Sequence, residues 1–87
     1  MNRPDVIEYA INKMRAHNYM FSRWVGCEVL DSEWADFAVG TGTLKERPDK
    51  LWEVRFVLDP PAEDTADSRG ALSVLINDAT GEYGFYP

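Results

Sequence analysis

The chain has 87 residues, with 9 basic against 15 acidic side chains and a net charge of −6 at pH 7. That length excludes a second hydrophobic core and predicts one domain over residues 1–87. With 45% apolar and 13% aromatic residues the chain is too apolar for an intrinsically disordered segment.

The charge is unevenly placed. In the first 24 residues Arg3, Lys13, Arg15 and Arg23 stand against Asp5 and Glu8, a balance of +2, which leaves −8 for residues 25–87. A phosphate backbone or an anionic membrane surface is repelled by that field, so neither nucleic acid nor membrane is an expected partner, whereas a basic protein is charge-compatible. Cys27 and His17 are the only cysteine and histidine. No internal disulfide is possible, and a zinc site would need carboxylates or a second chain. The lone cysteine, together with the lack of an apolar signal segment or membrane span, predicts a cytoplasmic location.

Asn2-Arg3-Pro4-Asp5 reads as a helix start: Asn2 accepts from a free backbone N–H, Pro4 suits the first turn, and Asp5 complements the dipole. Ile7, Ala10, Ile11 and Met14 recur at helical spacing, with Phe21 as a possible extension, and the helix is expected to end between residues 18 and 23. Residues 24–30 then read as a short strand or an irregular approach to a sheet, followed by a turn at Asp31-Ser32. In residues 33–44, Ala35, Phe37 and Val39 alternate with Trp34, Asp36 and Ala38 before Gly40-Thr41-Gly42-Thr43, which predicts a strand that frays or bulges.

Residues 45–50 form a charged connection. Residues 51–58 alternate cleanly, with Trp52, Val54, Phe56 and Leu58 on the core side and Glu53, Arg55 and Val57 on the other. Residues 59–70 hold two prolines in succession and many small acidic side chains, the composition of a long acidic loop. The last 16 residues read as a β-hairpin. Leu72, Val74, Ile76, Tyr83 and Phe85 point inward, Asp78 is expected to bond the turn backbone, and Gly81 supplies a positive φ. The expected architecture is α+β, an N-terminal helix packed on one face of a three- to four-stranded antiparallel sheet.

One helix leaves the other sheet face to be explained. Its expected outward set includes Val57, Leu75, Tyr86 and Trp34, more apolar than a face that meets only water. With Glu63, Asp64 and Asp67 of the acidic loop, Val57, Leu75 and Tyr86 are the candidate partner-binding residues. No catalytic residue, metal ligand or cofactor site is read from the chain. His17 lies at a helix end in a cap-like place, and Cys27 has no electropositive sequence neighbour to activate it. The carboxylates of residues 59–70 lack an apolar enclosure, and neither that segment nor Asn77–Glu82 has calcium-loop spacing. Gly40-Thr41-Gly42-Thr43 lacks the spacing and the lysine of a phosphate loop.

Residues 51–86 resemble PepSY-type and related cystatin-like small domains, which show a helix, a strand of the form aromatic-x-Val-x-Phe and a terminal hairpin of the form Val-x-Ile-Asp-x-x-Thr-Gly-Glu-Val. The matching residues are Trp52, Val54, Phe56, Val74, Ile76, Asp78, Thr80, Gly81 and Glu82. Asn77 replaces the usual apolar residue before the aspartate, and the long acidic loop is an addition. The resemblance implies a helix-on-sheet fold and non-catalytic protein binding or inhibition, including immunity-like roles. The leading expectation is therefore a non-enzymatic interaction or inhibitory module. The alternatives are a small-molecule or catalytic pocket between helix and sheet, walled by Trp24, Trp34 or Tyr83, and a structural homodimer.

Overall fold

A computed structural model describes residues 1–58 and 71–86, leaving aside the side chain of Ser22. The elements are α1 (Arg3–Ala16), β1 (Phe21–Leu30), α2 (Ser32–Gly40), β2 (Leu51–Leu58), β3 (Ala71–Asn77) and β4 (Tyr83–Tyr86). The strands form one sheet in the order β1-β2-β3-β4 with every neighbouring pair antiparallel. This is the expected α+β class, with a second helix in addition.

The N-terminal helix starts as its residues dictate: the Asn2 side chain accepts from the Asp5 amide at 3.0 Å, and Lys13 and Arg15 occupy the last turn, where cations suit the dipole. Its buried stripe is Val6, Ala10 and Met14, flanked by the partly buried Ile7 and Ile11, so the helix is rotated slightly from a stripe centred on Ile7. These side chains pack on Cys27, Trp52, Val54, Phe56, Leu72, Val74 and Ile76. Leu58, Tyr83 and Phe85 join the margin of that core as partly buried residues. The helix ends at Ala16, earlier than the expected range, because Asn18 takes a left-handed conformation with φ 61° that asparagine tolerates better than most residues. Phe21 consequently opens β1 rather than extending the helix, and its ring packs 4.7 Å from that of Phe56.

The expected strand over residues 33–44 is overturned: residues 32–40 are helical. Asp31 decides this locally. Its carboxylate accepts from the amides of Glu33 at 3.1 Å and Trp34 at 3.3 Å, satisfying two of the free N–H groups at the helix start. Ala35 and Ala38, three residues apart, then face inward. The glycines read as a fraying strand are a helix stop: Thr41 is the cap, and Gly42 follows in the left-handed region at φ 77°.

This helix sits on the sheet face opposite α1. Ala38 packs with Leu44, Leu51 and Leu75, and Leu30 and Tyr86 lie at the margin of this second core. The segment after α2 is fastened by Glu82, whose carboxylate accepts from the amides of Lys45 at 2.6 Å and Glu46 at 3.3 Å.

The β3–β4 turn is built around Gly81 at φ 78°, as its sequence predicts, but the side chains that bond the turn backbone are Asn77, which accepts from the Ala79 amide at 2.9 Å, and Thr80, which accepts from the Glu82 amide at 3.1 Å. Asp78 instead turns toward α1 and the sheet. It accepts from the Trp52 indole at 2.8 Å and from the Met1 amino group at 3.1 Å, and these donors hold its carboxyl below the usual range. A lowered folded-state pKa stabilises the fold fully above the ordinary aspartate pKa, and that contribution disappears as pH falls through the folded value. Thermal melts of the wild type and Asp78→Asn should therefore differ at neutral pH and converge on acidification through the acidic range. A difference independent of pH would refute the assignment.

Candidate interaction surface

The second helix carries its side chains in an unusual order. It buries its two alanines and exposes its large apolar residues: Trp34 is 40% exposed, Phe37 39% and Val39 36%. Small inward residues let the helix lie close to the sheet, whereas an amphipathic helix in a monomeric fold ordinarily turns its aromatics inward. Trp34 and Phe37 are three residues apart and therefore neighbours on one helical face. Their rings meet edge to face, with centroids 5.3 Å apart and planes at 79°. Tyr86 on β4 completes the cluster, 5.3 Å from Phe37 at 86° and 6.5 Å from Trp34 at 71°.

A shallow groove of about 270 Å³ runs along Glu33, Trp34 and Phe37. The three carboxylates in and just before α2 have different employment. Asp31 caps the helix, Asp36 is paired with Arg47, and Glu33 makes no side-chain hydrogen bond or ion pair among the described residues. The groove thus joins two aromatic rings to a carboxylate with no partner among the described residues.

The remainder of that sheet face is mixed, with the half-buried Val57 beside Glu53, Arg55 and Ser73. Ser73 donates to Glu53 at 2.8 Å, and Arg55 lies 3.7 Å from the same carboxylate. At the sheet edge, β1 exposes Trp24, Val25 and Val29 beside an open groove of about 500 Å³ bordered by Arg3, Glu28 and Arg55. Its pairing with β2 shifts register after Phe21 and again after Trp24, bulges of the kind that discourage edge-to-edge association.

The candidate residues named from sequence scatter over these regions. Leu75 lies on the expected face but is only 1% exposed, because α2 covers it; a partner cannot reach it in the folded chain. Tyr86 remains partly exposed beside Trp34 and Phe37, and Val57 is half-buried on β2, opposite Ala71 and away from α2. Glu63, Asp64 and Asp67 lie outside the described residues, as does the expected acidic loop at 59–70. Trp24, Trp34 and Tyr83 are not assembled into one pocket: Trp34 joins the α2 cluster, Tyr83 packs with Tyr9, His17 and Phe85 on the α1 side, and Trp24 sits on the far edge strand.

His17 and Cys27 belong to opposite margins of the sheet. His17 caps α1, shares a 2.9 Å hydrogen bond with the Tyr83 hydroxyl and packs its ring 4.9 Å from Phe85, both residues of β4. Cys27 is buried on β1, and burial pushes its thiol pKa up, the opposite of activation. Among the described residues no three of His, Cys, Asp or Glu are grouped to hold a metal ion, and no helix is long and apolar enough to cross a membrane.

The sequence signal for the aromatic patch was present in the i, i+3 spacing of Trp34 and Phe37 behind an Asp31 cap. It was hidden by the equally good alternation of the same residues. No family model matches the chain, and no significant match is found among curated proteins or solved structures.

Proposed function

We propose that this chain is a non-enzymatic protein-interaction module, inhibitory or immunity-like in kind, that meets its partner through the outward face of α2. One observation carries the reading: α2 turns Trp34 and Phe37 to solvent while alanines make its contact with the sheet. An exposed aromatic group rimmed by charge has the composition of an interface centre, where tryptophan and tyrosine contribute disproportionately. The similarity of β2 and the final hairpin to PepSY-type and cystatin-like domains agrees with such a role. The separation of His17 from Cys27 across the sheet supports a non-catalytic one.

The homodimer reading draws less support, because the long exposed edge of β1 is interrupted by two register shifts and the chain is strongly acidic. Capture of partners from lysate of the source cell on immobilised protein tests the proposal. A specific, salt-sensitive partner is expected, and the double variant Trp34→Ser, Phe37→Ser should lose it while keeping the wild-type melting temperature. Absence of any partner at low salt, or full retention by the double variant, would sink it.

A further inference from the structure

Resting on the interaction reading, we propose that the groove along Glu33, Trp34 and Phe37 receives an arginine side chain from a basic segment of a partner protein. One feature of the guanidinium and two of the groove select that chemistry. Its walls are two aromatic rings, whose negative faces attract a cation. Glu33 lines the groove with its carboxylate unbonded among the described residues, whereas Asp31 and Asp36 are already bonded. A guanidinium is planar and weakly hydrated, so it stacks on a ring and forks two N–H groups onto one carboxylate, which a compact ammonium does less well.

Charge decides against a second copy of the chain as the occupant. Residues 25–87 carry −8, Glu33 lines the groove, and Asp31 and Asp36 belong to the same short segment, so two such faces would bring carboxylates against carboxylates. A cationic segment removes that repulsion and gives Glu33 a partner that it lacks among the described residues.

The test is an NMR titration of the full ¹⁵N-labelled chain with an acetylated, amidated Gly-Arg-Gly-Arg-Gly peptide, beside the same peptide with citrulline in place of arginine. Citrulline keeps the shape and removes the charge. Saturable shifts confined to the amides of residues 31–40 and the Trp34 indole are expected with arginine, weakening with salt and absent with citrulline. Glu33→Gln should weaken binding about tenfold through loss of the charge-assisted pair. Trp34→Leu should weaken it similarly by removing a ring face. If Trp34→Leu does not fold, Glu33→Gln alone decides, since an exposed carboxylate is dispensable to the core.

Equal binding of the citrulline peptide, or no shift at millimolar peptide, overturns the inference. So do shifts in the same amides on raising protein concentration without peptide, which would identify a second copy as the occupant. Shifts centred on Glu28 and Glu53 overturn this site while leaving the chain a binder of basic proteins. The interaction reading itself falls only on the lysate experiment, if no partner is captured at low salt or the double variant retains it in full.

Discussion

Leu75→Ala is expected to lower the unfolding free energy by about 3 kcal/mol, the cost of emptying a buried leucine site. Leu75→Asp should prevent stable folding, because it places an unpaired carboxylate between Ala38, Leu44 and Leu51. The alternation of β3 places Leu75 opposite Val74 and Ile76, on a face that would meet solvent if α1 were the only helix. In that case either substitution would change stability by no more than about 0.5 kcal/mol. Urea unfolding separates the two outcomes: a large fall in midpoint at constant slope marks a buried site. Val39→Ala, on the exposed side of α2, is the matched control and should be nearly silent.

Gly84→Ala should be the second severe substitution, costing about 3 kcal/mol and lowering the melting temperature by at least about 10 °C in a domain of this size. A Cβ at position 84 would lie 2.7 Å from Thr43 Cγ2 and still closer to the Thr43 carbonyl oxygen, a contact with backbone that no rotamer change relieves. The segment carrying Thr43 has little freedom to withdraw, since the buried Leu44 and the two Glu82 hydrogen bonds hold it against the hairpin. Gly40→Ala is the comparison: no atom lies within 4 Å of its Cβ position, and alanine favours the end of α2, so a neutral or slightly stabilising result is expected. Equal melting temperatures for the two variants would refute the close approach of the two segments.

Both substitutions concern the layer that local pattern did not disclose. In β2 and β3 the apolar alternation has one consistent reading, because a strand with Trp52, Val54 and Phe56 on one side can bury them in only one register. Residues 33–39 support two readings. Ala35, Phe37 and Val39 alternate as a strand would, while Ala35 and Ala38 align as one face of a helix. The Asp31 cap and the Gly42 stop break the tie, yet an aspartate followed by a serine, and a pair of glycines, are equally at home in turns.

The chain by itself determined the α+β class, the capped start of α1, the core faces of β2 and β3, and the positive φ of Gly81, each of which follows from near neighbours in sequence. Only the tertiary structure decided that a second helix covers Leu75, that Asp78 bonds Trp52 rather than its own turn, and that Trp34, Phe37 and Tyr86 form one patch. The physical reason is range. Caps, turns and alternation are fixed within a few residues, but burial of a sheet's second face depends on which element returns to it across 30 or more residues. Local periodicity carries no information about that return.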